Sequence, residues 1–235
     1  MPRRLQTSLL AFAVMVALPA LLPAVAQDEG PPVPVEKAAY HVPVFRNELV
    51  TVLRVNIPPK RGAGYHIHSL DQIGVLVEEA DQTNQLPGEQ VTPPRRNPRG
   101  NVTFTAFSKK SQTHRVQNVG ETAFHNIVIA LMTPQPRGLA PAAREVAGYT
   151  QLFDNERARG WRLILEPGQS APAITQNAPG LRVVIDGGEI VESSRDGERG
   201  MALRLGDFYW QEPGATRAVR NIGTTRIQLA EFEFK

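Results

Sequence analysis

The sequence predicts an all-β chain, built from two related halves behind a cleavable leader. Three observations carry this. Short segments rich in Val, Ile, Leu, Phe and Thr alternate with turn residues, among 20 Pro and 19 Gly in 235 residues, the pattern of a sandwich or barrel. Two stretches repeat in register. The first 26 residues have the layout of an export signal.

The signal comes first in the chain. Arg3 and Arg4 precede an apolar stretch from Leu9 to about Leu22, and Ala24-Val25-Ala26 supplies a small-residue cleavage site before Gln27-Asp28-Glu29. The apolar run is short for a span of about 20 residues, and Pro19 and Pro23 interrupt it, which disfavours a retained anchor. A bacterial-type signal peptide over residues 1–26, and a periplasmic or secreted mature protein with no stable membrane insertion, are expected. Residues 27–44 are Pro-rich and read as an extended leader containing an exposed His41.

The strands of the first half are expected at Val50–Ile57, Tyr65–His68, Ile73–Glu79, Val102–Ser108, Thr113–Asn118 and Phe124–Met132. Those of the second are expected at Trp161–Leu165, Ala173–Gln176, Leu181–Val191, Met201–Leu205, Arg217–Asn221 and Thr225–Phe234. Phe124–Leu131 is apolar on both faces, which suits a dimer interface, an interdomain interface or a buried sandwich strand. A short helix is expected around Ala140–Phe153, inside a linker. Thr113–Thr122 aligns with Thr216–Thr225, repeating Thr, Val, Asn, Gly and Thr at an offset of 103. Ile57-Pro58-Pro59 aligns with Leu165-Glu166-Pro167 at an offset of 108, which also pairs Val75 and Val77 with Val183 and Ile185. The five-residue difference is assigned to the Pro-rich segment Gln82–Gly100, a candidate cover for the site. The resulting division is a domain at 45–135, a linker at 136–158 and a second domain at 159–235.

Composition excludes several chemistries. With no Cys there are no disulfides, thiolate metal sites or cysteine nucleophiles. Loss of the signal peptide removes two Arg from 26 basic residues against 23 acidic, leaving a nearly neutral chain without a field for polyanions. Arg95, Arg96 and Arg99 read as a solvated loop, and no nucleic-acid partner is expected. P-loop, G-x-G-x-x-G and G-x-S-x-G signatures are absent.

The chemistry lies in histidine. His66 and His68 stand at i and i+2 on an expected strand and therefore share a face. His114, on a later strand, can add a third imidazole. Such a set suits Fe, Ni, Cu, Zn or Mn and leaves positions open for water, dioxygen or a chelating substrate. His125 reads as a structural or supporting residue.

These residues resemble the cupin superfamily. Lys60-Arg61-Gly62-Ala63-Gly64-Tyr65-His66-Ile67-His68-Ser69-Leu70-Asp71-Gln72 is similar to its first motif, and His114-Arg115-Val116-Gln117-Asn118 keeps the H-x3-N of its second. The resemblance covers most of residues 45–132, with a degenerate copy at 160–235. It implies two tandem jelly-roll β-barrels, and His66, His68 and His114 converging on a divalent metal, iron first and Mn, Ni, Cu or Zn otherwise. The motif's glutamate is Gln72 here, a weak neutral ligand. Asp71 should point to the opposite face. In the second copy Ile174, Gln176 and Arg217 align with the three histidines, while Gly168, Pro213, Gly214 and Asn221 keep the backbone positions. Arg217, if it points inward, suits a carboxylate.

The functional expectation is an exported metal-dependent dioxygenase, or a lyase or isomerase, acting on a small and perhaps anionic molecule. The alternative is a non-catalytic small-molecule-binding protein. A homodimer suits either.

Overall fold

The computed structural model describes residues 30–132, 138 and 144–235. The signal peptide, the start of the leader at residues 27–29, residues 133–135 and part of the expected linker, residues 136–137 and 139–143, lie outside these residues. No helix among the described residues is long and apolar enough to cross a membrane.

The first half contains β1 (Val33–Pro34), β2 (His41–Arg46), β3 (Val50–Ile57), β4 (Gly62–His68), β5 (Gln72–Glu78), β6 (Asp81–Gln85), β7 (Arg95–Arg96), β8 (Val102–Thr105), β9 (Gln112–Asn118) and β10 (Phe124–Leu131). The second contains β11 (Tyr149–Asp154), β12 (Ala158–Leu165), β13 (Ser170–Thr175), β14 (Gly180–Asp186), β15 (Gly188–Ser194), β16 (Gly197–Leu203), β17 (Phe208–Gln211), β18 (Thr216–Asn221) and β19 (Ile227–Phe234). Each half forms two facing sheets, a jelly roll. The orders are β2-β3-β10-β5-β8 and β1-β4-β9-β6-β7 in the first, β11-β12-β19-β14-β17 and β13-β18-β15-β16 in the second. Apart from β1, each strand of the first half has its counterpart nine strands later, in the same order.

The repeat extends to single hydrogen bonds. Asn118 Nδ2 donates to the carbonyls of Ile57 and Thr122, and its Oδ1 accepts from Gly120 N. Asn221 Nδ2 donates to those of Leu165 and Thr225, and its Oδ1 accepts from Gly223 N. Both sequence offsets, 103 and 108, meet in this one motif. Elsewhere the five extra residues are shared out. Thr105 pairs with Gln72 as Gln211 pairs with Gly180, an offset of 106, so part of the difference lies between β8 and β9 rather than in Gln82–Gly100.

The two barrels pack sheet to sheet. Val52, Ile73, Val75, Ile127 and Ile129 meet Leu181, Val183, Ile185, Ala230 and Phe232 in one apolar core. The other face of β10, through Phe124 and Val128, fills the first barrel. The two apolar faces of β10 thus serve the interdomain interface and the barrel interior. Such burial is worth about 1.5–3 kcal/mol for each large aliphatic side chain.

Several elements differ from expectation. Tyr149–Asp154 is β11, an edge strand paired with β12, so the expected helix does not extend over these residues. Tyr149, Leu152 and Phe153 are half-buried, and the strand pairing with β12 satisfies its backbone. The expected strand Leu181–Val191 is two strands, broken at Gly187, where a Cβ would stand 2.4 Å from the Leu203 carbonyl oxygen. Only glycine admits that approach. The leader is partly structured. Val33 and Pro34 pair in parallel with His66 and Ile67, and His41–Arg46 pairs with β3.

Candidate metal centre

His66 and His114 are paired directly across β4 and β9, and His68 lies two residues along from His66 on the same face. Their ligand-capable nitrogens lie within 4.8 Å of one another. The structure therefore brings together the three histidines that the sequence singled out. His66 is 1% exposed and His68 5%.

Each ring is held by its Nδ1. His66 Nδ1 donates to the Gly64 carbonyl at 2.8 Å, His68 Nδ1 to Gln72 Oε1 at 2.9 Å, and His114 Nδ1 to Asn84 Oδ1 at 2.9 Å. This pattern fixes the tautomer with the proton on Nδ1 and the lone pair on Nε2, as metal-binding imidazoles require. His68 Nε2 and His114 Nε2 stand 3.0 Å apart. Two lone pairs at that distance repel unless a cation or a proton lies between them.

Burial holds the rings neutral. Desolvation lowers the pKa of His68 to about 4 and that of His114 to about 3, with further lowering by the neighbouring imidazoles. His66 is lowered by the same cause against the opposing bond to Gly64. Neutral imidazole is the form that ligates a metal, so the donor set fits a divalent ion.

Gln72 lies behind His68, where its Oε1 orients the ring. Asp71 turns away as expected. It is buried, accepts from Ser108 N and pairs with Arg157 of the second half at 2.5 Å. His125 is on the interdomain face of β10, against Gly206 and Glu78, and so does not support the three imidazoles.

Two contributors were not found from sequence. His41 is buried, not exposed, and its ring centre lies 4.7 Å from that of His66. Its Nδ1 bonds the Ala39 carbonyl at 2.9 Å, and desolvation lowers its pKa to about 4. It is a fourth neutral imidazole beside the cluster. Tyr40, in the left-handed region at φ 66°, turns the leader so that His41 pairs with Val55. Asn84 comes from β6, a polar strand with no apolar alternation to mark it.

A cavity of about 250 Å³ adjoins the cluster, lined by His68, Gln72, Leu53, Met132, Val35 and Arg46. The leader, not the Gln82–Gly100 segment, contributes to its wall. Arg96 of that segment pairs with Asp81, and Arg99 reaches Asp186 at 3.4 Å.

No protein-family model and no curated protein matches the chain by sequence. Solved structures do match by fold. AerE from Microcystis aeruginosa is 13% identical with a TM-score of 0.57, covering 84% of this chain and 98% of its own. Salicylate 1,2-dioxygenase from Pseudaminobacter salicylatoxidans is 14% identical with a TM-score of 0.55, covering 79% and 71%. Oxalate decarboxylase from Bacillus subtilis, with Mn(II) centres, is 12% identical with a TM-score of 0.54, covering 80% and 69%. The protein has the cupin fold. Its two tandem jelly rolls have the bicupin arrangement, with the histidine cluster in the first barrel alone among the described residues.

Proposed function

We propose that the first barrel is a divalent-metal centre held by His66, His68 and His114, with His41 beside it, and that it acts on a small carboxylate. The observation that carries this is the set of three buried neutral imidazoles, each held at Nδ1 and free at Nε2. Three neutral imidazoles suit Fe, Mn, Ni, Cu or Zn, and the oxalate decarboxylase of similar fold carries Mn(II) centres.

A bound metal would supply Lewis acidity and open positions for a chelating substrate. Gln72 and Asn84 would hold the ligand rings. Val35 and Leu53 would limit water in the cavity, and Arg46 on its wall would attract a carboxylate. The ligand set carries no negative charge, so an anionic substrate would balance the ion. Two bicupins of similar fold are named for carboxylates, salicylate and oxalate, which supports the same substrate class and a dioxygenase or lyase reaction. The leading 26 residues support export to the periplasm or beyond.

The second reading is metal-assisted binding without turnover, favoured by the absence of a carboxylate from the ligand group. The two separate in a screen of small carboxylates against Fe- and Mn-loaded protein, following oxygen uptake and carbon dioxide release. The enzyme reading expects turnover that His114→Ala abolishes. Saturable binding with no turnover of any carboxylate supports the second reading and contradicts the first.

A further inference from the structure

The second barrel has replaced the histidines by Ile174, Gln176 and Arg217. Strand pairing places Ile174 opposite Arg217, as His66 lies opposite His114. By the same register Arg182 stands where the first barrel has Gly74, and Glu231 and Glu233 stand where it has Val128 and Ala130. The result is a buried charged interior.

Most of its donors are matched. Arg182 Nε donates to Glu231 Oε1 at 2.8 Å and its Nη1 to Glu192 Oε1 at 2.5 Å. Arg144 bonds Glu231, Gln176 and Glu233. Arg217 is the least satisfied of the three arginines. Its side chain is 9% exposed, and its Nε lies 3.6 Å from Glu192 Oε1, too far for a hydrogen bond. Among the described residues neither Nε nor Nη2 of Arg217 has a hydrogen-bond partner, and Arg182 Nη2, Arg144 Nε and the acceptor Glu233 Oε2 each lack one as well.

The identity of the unpaired atoms is informative. Nε–H and one Nη2–H lie on the same edge of a guanidinium and point in parallel, the fork that grips a carboxylate through both oxygens. A buried edge of this kind is costly to leave empty. Arg182 and Arg217 both line a cleft of about 930 Å³, together with Tyr209, Trp210 and Thr216. That volume admits an organic acid, not merely an inorganic ion. Burial and the neighbouring Arg182 lower the pKa of Arg217 while Glu231 and Glu192 raise it, and the cleft wall also carries Arg195, Arg199, Glu192, Asp196 and Glu212.

We propose that the second barrel is a binding site for an organic carboxylate, gripped by the Nε–H and Nη2–H edge of Arg217 with Arg182 Nη2 as a third donor. The site is independent of the metal centre in the first barrel.

Isothermal titration calorimetry tests it, with succinate and benzoate as probes, benzamide as the uncharged counterpart of benzoate and inorganic sulfate as an oxyanion without a carbon body. The expected result is saturable binding of at least one carboxylate at one site per chain that persists in the His66→Ala, His68→Ala, His114→Ala variant, which removes any site at the metal centre, and no binding of benzamide. In that background Arg217→Lys keeps the charge but not the fork, and should weaken binding by about tenfold or more. In ¹⁵N NMR of the native protein, one arginine Nε–H resonance should shift with the same saturation curve, a readout that needs no variant to fold. The proposal is overturned by no carboxylate binding at about 10 mM, the upper end of weak affinities, or by equal affinity in Arg217→Lys. It is equally overturned if sulfate alone binds, or if the triple-histidine variant loses the site.

Discussion

Each imidazole of the first barrel is held from behind, and the holders differ in kind. Gly64 and Ala39 use backbone carbonyls, which the fold fixes, whereas Gln72 and Asn84 use side chains that mutation can remove. Gln72→Leu or Asn84→Leu should therefore keep the fold but lower metal affinity by about 10- to 100-fold, since outer-shell partners of ligating histidines typically contribute that much. Metal titration of the refolded apoprotein measures this, and unchanged affinity would show that the amides do not orient the rings. The H-x-H pair was legible because period-two alternation puts both rings on one face. His114 was legible through the asparagine four residues on. His41 was not, because Pro43 and the proline-rich run before it make its segment look like a tether. Only the pairing with β3 turns its ring inward.

At the scale of elements, central strands announce themselves and polar edge strands do not. β3, β5, β10, β14 and β19 are rich in aliphatic residues and largely buried on both faces, and four of the five were placed from sequence nearly as found. β14 was the exception, run together with β15. β6 and β7 are short and polar, held by pairing and by the Arg96–Asp81 ion pair, which no local pattern encodes. On β10, Ile129 is fully buried in the interdomain core. Ile129→Ala should cost about 2–5 kcal/mol. Urea denaturation tests this, and a loss well below 1 kcal/mol would mean that the barrels do not pack through this face. On β19, the guanidinium groups of Arg182, Arg144 and Arg217 outweigh the burial of Glu231 and bring its pKa from 4.5 to about 2. A lowered folded-state value means stability that is present above pH 4.5 and lost as pH falls toward 2. Burial raises the pKa of Glu233, which acts in the opposite sense, so the wild-type curve mixes both. Comparison with Glu231→Gln isolates the effect. The variant should be less stable at pH 7, and the gap should narrow between pH 4.5 and 2. A gap constant with pH would show that Glu231 is not ionised in the native state.

For the whole molecule, the shared core means that neither barrel has a complete hydrophobic surface of its own. Val52, Ile73 and Ile127 rest on side chains of the second half, and Asp71 is paired with Arg157 across the same boundary. One calorimetric unfolding transition is expected, not two, and two well-separated transitions would contradict the shared core. The duplication has left one barrel with an imidazole cluster and the other with a buried charged interior, in which Arg217 takes the place of His114, around asparagine turns that both retain. That division of chemistry rests on the first barrel holding a metal. The most direct test is elemental mass spectrometry of natively exported protein purified without chelator or affinity tag, beside the His66→Ala, His68→Ala, His114→Ala variant. Near one equivalent of a divalent metal per chain, Fe first and Mn, Ni, Cu or Zn otherwise, absent from the variant, is the predicted result. A native protein that carries no metal and cannot be loaded with any of these ions would contradict it.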